Sequence, residues 1–335
     1  MTSTDHNTLF AGHAWYAPSV KGMFGLFGWL LLGSLLGSIV ELVAGLFLSE
    51  QTIQDYGSLV TYPLQFLPAM VYAAKQSRKN RPCQPGYALN SGHFGPYGLG
   101  MTVLLTVLLT FSAMFVIDLP AYWNMRLTTR SSVMAELYEE FNDMMKQMIG
   151  GPFWSSFLAV AIFAPVFEEW ANRGMVLRGL LTRMKPFWAI LISALFFAIL
   201  HFNPWQGIEA LIIGMIMGYI YFKTGSLILT MLIHFINNAF SVIGEHIDSL
   251  KDIEGDYWVE ILDKSSYTIL YIIAFIILSA CLYAFSRIKL ENPWGNIDRI
   301  PPANEVVAAE TAAEHSGEEI EKMVEETVGT TPTEE

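Results

Sequence analysis

The sequence predicts an all-α fold, a polytopic bundle of about eight transmembrane helices. Three observations carry that expectation. Of 335 residues, 53% are hydrophobic and 15% are charged, against roughly 25% charged in soluble domains. Apolar runs long enough to cross a ~30 Å hydrocarbon core recur along most of the chain. The loops between those runs alternate between basic and acidic or neutral character, as the loops of a multi-pass protein do.

The runs fall near 23–48, 59–74, 97–117, 153–181, 187–202, 208–222, 227–244 and 268–285. The second, fifth and sixth are short, and Pro63 and Pro68 make the second the weakest span. The first exceeds the apolar core of a signal peptide, about 7–15 residues, and reads as a retained helix. Residues 131–149 are amphipathic. Met134, Leu137, Phe141, Met144, Met145 and Met148 form one stripe, with Glu136, Glu139, Glu140 and Asp143 largely opposite. This pattern predicts a helix lying on the outer membrane surface; a lid over a substrate path is the sharper alternative. Gly33 with Gly37, and Gly214 with Gly218, are G-x-x-x-G pairs that permit close helix contact within one bundle. Cys83 and Cys281 do not form a pattern expected of a disulfide or a metal site.

Charge gives the sidedness. Lys75, Arg78, Lys79 and Arg81 form one basic loop; Arg173, Arg178, Arg183 and Lys185 form a second. Lys223, then Arg287, Lys289 and Arg299, continue the same side. Glu50 and Asp55, and the run Glu245, Asp248, Asp252, Glu254 and Asp256, mark the other; Arg126 and Arg130 are exceptions there. The positive-inside rule then places both termini in the cytoplasm. The net charge is -12, and most of it lies in 303–335, where ten glutamates face Lys322 alone. So acidic a segment, poor in large apolar residues, reads as a disordered tail. No basic stripe points to nucleic acid.

Ionisable side chains inside spans cost at least ~2.5–3.5 kcal/mol each at the bilayer centre and need a reason. Three segments stand out: Glu168, Glu169 and Arg173; His201; and His234 with Asn238. Glu169 and Arg173 are four apart and share a helix face, which predicts an ion pair. Glu168 is rotated by about 100° and is left to face another neighbour. Glu168 and His201 each lie about 16 residues from the turn at 184–186, so antiparallel helices bring them to similar depth. A Glu and a His so placed can share a water, with Glu as general base. A second His with an Asn one turn on offers donors to an oxyanion. Each of these residues taken singly is also explained as an interhelical hydrogen-bonder.

The three motifs, Glu168-Glu169-x-x-x-Arg173, Phe197-x-x-x-His201 and His234-x-x-x-Asn238, together resemble those of the CAAX protease and bacteriocin-processing (CPBP) family of intramembrane proteases. That family includes the type II CAAX prenyl endopeptidases. The resemblance covers roughly 153–244, flanked by N-terminal helices with the surface helix (1–152), an outer loop and last span (245–302), and the tail (303–335). It implies an endopeptidase, for CAAX-type C-terminal processing, peptide maturation or bacteriocin immunity, in which Glu168 activates water and His201 helps to hold it. His234 and Asn238 would stabilise the oxyanion, with Glu169 and Arg173 bracing the site. It implies a peptide or protein substrate at the lipid bilayer, prenylated or not, and a multi-pass protein of a bacterial plasma membrane. The family is commonly called a metalloprotease. Glu168, His201 and His234 are a candidate Zn²⁺ ligand set, yet no zincin spacing such as H-E-x-x-H is present, so no cofactor is firmly required. Two other functions remain open: a non-proteolytic membrane scaffold that keeps the motifs for folding, and a proton- or metal-coupled transporter. The lack of internal repeats counts against the last.

Overall fold

The computed structural model describes residues 9–247, 257–290 and 294–328, with side chains described as far as 316. The architecture is helical. In chain order it comprises α1 (Val20–Ala44), α2 (Glu50–Tyr56), α3 (Ser58–Asn80), α4 (Gly98–Thr128), α5 (Ser132–Ile149) and α6 (Phe153–Leu181). There follow α7 (Pro186–Ile199), α8 (Pro204–Thr224), α9 (Leu227–Glu245), α10 (Trp258–Ile261), α11 (Lys264–Ser286) and α12 (Ala303–Val328). A two-residue antiparallel ladder pairs Gly86 with Ile300 and Tyr87 with Arg299.

The starts and stops follow from local chemistry. Ser19, Asn203 and Ser226 cap α1, α8 and α9, their side-chain oxygens accepting from the N–H of Gly22, Gln206 and Leu229. Gly225 ends α8 with a left-handed φ of 66°, and a Cβ there would stand 2.4 Å from the Asn296 carbonyl oxygen. Only glycine meets both demands.

The chain is a membrane protein, and the expected count of about eight spans is approximate. Five described helices are long and apolar enough to cross a bilayer: α1, α4, α8, α9 and α11. A sixth arises if α5 and α6, bent by 106° to one another, count as one broken span. The second expected span is the helix α3, which contains two prolines and ends in basic residues. The fifth is α7, whose 14 residues reach only ~21 Å at 1.5 Å per residue, short of a ~30 Å core. The amphipathic segment is the helix α5, with Leu137, Met144 and Met148 exposed. Its inner face packs Tyr138 and Phe141 against Trp205 at the start of α8.

Both small-residue pairs work within the chain. A Cβ on Gly33 would lie 2.0 Å from the Gln65 carbonyl oxygen, and one on Gly37 would lie 3.4 Å from Thr61 Cβ. The α1 seam therefore seats α3. Gly214 and Gly218 do the same for α8 against α7, facing Ala194, Phe197 and Ile190.

Arg178, grouped in the sequence with a basic loop, is fully buried instead. Its guanidinium donates to the carbonyls of Gly174, His13, Ala14, Tyr16 and Tyr87. It thereby fastens the N-terminal segment and the 86–87 strand to α6. Beside it, Trp170 Nε1 donates to His13 Nδ1 at 3.0 Å.

In the acidic tail, residues 303–328 form the helix α12, where Ala308, Ala309, Ala312 and Ala313 are strong helix formers. The start is tethered too: the N–H groups of Ala303 and Asn304 donate to the carbonyls of Arg81 and Pro82. Asp248, Asp252, Glu254 and Asp256 of the acidic loop, and residues 329–335 with Glu334 and Glu335, lie outside the described residues. Cys83 is exposed and Cys281 buried, both as free thiols.

Two tests follow from this packing. Gly33→Val should lower stability by about 1–3 kcal/mol, because the added side chain meets backbone. Gly28→Ala, with open space around it, should leave Tm at or above wild type; thermal unfolding in detergent checks the contrast. The second concerns His13. Burial, with the positive Arg178 beside it, holds its imidazole below the usual 6.5. The unfolded chain therefore takes up this proton first as pH falls, so the stability is full above about 6.5 and declines toward the lower folded value. Between about pH 8 and about pH 5, Tm should fall less in His13→Gln than in wild type.

Candidate active site

The site is built on α6. Its middle is α-helical over Ala164–Glu169 and flanked by π-helical stretches, Phe157–Phe163 and Trp170–Leu177. A π-turn inserts a residue into the helical ladder and shifts the direction of side chains, and such turns concentrate at functional sites. Glu168 and Glu169 stand at the end of the α-helical stretch and diverge.

Glu169 turns inward and is fully buried. Its Oε1 accepts from Arg173 Nη1 at 2.6 Å, and the pair is inaccessible to solvent. Arg173 Nη2 donates to the Gly214 carbonyl of α8 at 3.1 Å. The guanidinium carbon lies 4.6 Å from the centre of the Phe197 ring on α7, a cation–π contact. From α9, His234 Nδ1 lies 3.1 Å from the same Glu169 oxygen. With Nδ1 carrying the proton, His234 donates to that carboxylate and leaves Nε2 to face a reactant.

Glu168 turns the other way and is half-buried. Its carboxylate accepts from Tyr62 Oη of α3. Its own carbonyl accepts from Asn172 Nδ2 at 2.9 Å, while Ser193 Oγ of α7 donates to the Asn172 carbonyl at 3.1 Å. These contacts tie α3, α6 and α7 together at the depth of the carboxylate.

His201 lies in the turn after α7, just before Phe202 with its left-handed φ of 55°. Its Nδ1 sits 2.8 Å from the Phe197 carbonyl. The Phe197 ring meets His201 edge-on at 4.9 Å and His234 at 5.8 Å. One phenyl ring thus contacts three site residues: Arg173, His201 and His234. Asn238 donates one amide N–H to the Val160 carbonyl at 2.9 Å, and the second remains for another acceptor.

The structure therefore gathers Glu169, Arg173, His234 and Phe197 into one sealed knot and sets Glu168 at its flank. It does not assemble the candidate zinc ligands. Among the described residues, no three His, Cys, Asp or Glu side chains converge as a metal would need. Glu168, His201 and His234 do not fit a zinc centre in this arrangement. Sequence reasoning missed Tyr62, which lies outside all three motifs. Its signal was a phenol inside an apolar run, where a buried hydroxyl needs a partner.

Fold and site together define a polytopic membrane protein with a buried carboxylate–imidazole centre. Residues 150–240 match the family model described as Rce1-like, type II CAAX prenyl endopeptidase Rce1-like. The match covers all three motifs and bears out the resemblance read from them. Comparison with curated proteins and with solved structures returned no match.

The two carboxylates should separate in a melting experiment. Glu169→Gln leaves Arg173 buried without its counter-charge, which costs about 3–5 kcal/mol. Glu168→Gln keeps an acceptor for Tyr62 and should melt close to wild type. Equal losses in the two variants would contradict this division.

Proposed function

We propose that the protein is an intramembrane endopeptidase of the CAAX-processing type, with Glu168 as the base that activates water. The observation that carries this reading is the asymmetry of the paired glutamates. Within a segment that matches a protease family, Glu169 is closed off in an ion pair. Glu168 keeps partial exposure and, among the described residues, has Tyr62 rather than a cation as its side-chain hydrogen-bond partner.

The chemistry then runs on this chain's own groups. Glu168 takes a proton from water as the oxygen bonds to the scissile carbonyl carbon, placing negative charge on the carbonyl oxygen. The second N–H of Asn238 serves that oxyanion, joined by the Nε2–H of His234 in its doubly protonated form, whose Nδ1–H stays on Glu169. The C–N bond breaks as the proton held by Glu168 passes to the leaving nitrogen. His201, fixed through Nδ1 and Phe197, orients the water from the opposite side. No step passes through a metal. The substrate is the C-terminal part of a membrane-borne peptide or protein, and both termini of the enzyme face the cytoplasm, the basic-loop side.

A scaffold without activity is the second reading. It is favoured by the backbone hydrogen bonds of His201 and Asn238, which give both a structural use. Purified protein offered a farnesylated CAAX peptide and a quenched peptide library separates the two. Wild type should cleave, and Glu168→Gln should lose all measurable turnover while melting normally. Activity should survive exhaustive chelation, with metal content measured on the same sample. No cleavage by wild type, or full activity in Glu168→Gln, would favour the scaffold or another base.

A further inference from the structure

We infer that Tyr62 is a positioning residue for the water-activating carboxylate, supplied by the N-terminal helices from outside the matched segment. The inference rests on the reading of Glu168 as base and goes beyond it. Tyr62 donates its hydroxyl to Glu168 Oε1 across 106 residues of sequence. Arg173, the cation nearest in sequence, bonds to Glu169 instead. Tyr62 is thus the side-chain donor that the described residues give to the Glu168 carboxylate.

The phenol is itself held. Its ring stacks on Phe66 at 5.7 Å and 26°, and Phe66 stacks on Phe167 at 5.4 Å and 18°. Phe167 immediately precedes Glu168, so the column runs from the donor back to the backbone of its acceptor. A glutamate has several soft torsions and would otherwise sample many orientations. Fixing Oε1 leaves Oε2 aimed at the water, the kind of alignment on which proton abstraction depends.

Helix α3 presents two adjacent faces that make this work. Thr61 and Gln65, four apart, face the glycine seam of α1. Tyr62 and Phe66, each one residue further on, are turned by about 100° toward α6. Close approach at Gly33 and Gly37 therefore sets how far Tyr62 reaches. Pro63 has no N–H for the carbonyl one turn back, so the turn carrying Tyr62 is held in place by these neighbours more than by its own helix.

Two measurements test the role. With a farnesylated quenched peptide as substrate, Tyr62→Phe should lower kcat by roughly 10- to 100-fold. KM should stay within about twofold and Tm unchanged, a split that a merely structural residue would not give. Wild-type kcat, or a joint loss of kcat, KM and Tm, overturns the proposal. Independently of turnover, fluorotyrosine placed at 62 should show a fluorine NMR resonance that moves in Glu168→Gln. An unmoved resonance also overturns it, and this arm stands even where Tyr62→Phe does not fold. If Glu168→Gln retains cleavage, the base assignment falls and the positioning role with it. If Glu168→Gln is inactive while Tyr62→Phe turns over normally, only the positioning role falls.

Discussion

The buried ion pair between Glu169 and Arg173 is the contact on which the centre of the bundle depends. Neither side chain is accessible, and in lipid neither charge has water to fall back on. Such a pair persists only when its remaining hydrogen-bonding capacity is met nearby. Gly214 of α8 supplies a carbonyl, Phe197 of α7 a ring face and His234 of α9 an imidazole. Four helices are thus drawn to one point by the needs of two charges. The satisfaction is incomplete. Arg173 Nε and Asn172 Oδ1 have no hydrogen-bond partner among the described residues.

That knot explains why the second glutamate can differ from the first. Two adjacent carboxylates in a low-dielectric interior would repel each other strongly if both were left without partners. Arginine neutralises one, and helix geometry turns the other toward α3. The π-helical stretches on either side reinforce the divergence, since each alters the registry of the residues around it. A regular helix with the same sequence would still separate the two by a third of a turn, so the ion pair is the primary cause and the π-turns a refinement.

Much of this was legible in the sequence, and the rest was hidden for definite reasons. The i,i+4 spacing gave the Glu169–Arg173 pair because both residues lie on one helix, where distance follows from geometry alone. The amphipathic stripe of α5 and the glycine seams are likewise local patterns. Span number is only approximate from the sequence because hydropathy cannot distinguish a lipid-crossing helix from an apolar one of 14 residues, as in α7. Arg178 was misplaced because a basic residue at a span end matches the positive-inside pattern whether it faces water or five carbonyls. Tyr62 escaped because its partner is 106 residues away, a distance that no local period encodes.

The same contrast separates the two halves of the site. Residues 150–240 hold the ion pair, both histidines and the asparagine, and their motifs are recognisable by themselves. Yet the carboxylate outside the ion pair is met by α3, and α3 is in turn seated by α1. On the basic-loop side, Arg178 gathers the N-terminal segment onto the same helix α6, and Trp170, next to Glu169, donates to His13. The N-terminal region therefore touches α6 both beside the carboxylates and a little over two turns further on. A helix carrying two π-stretches is inherently less regular than an ideal one, and contacts at two heights are what fix its rotation. The motifs define which groups are present; the surrounding helices determine the direction in which the Glu168 carboxylate points.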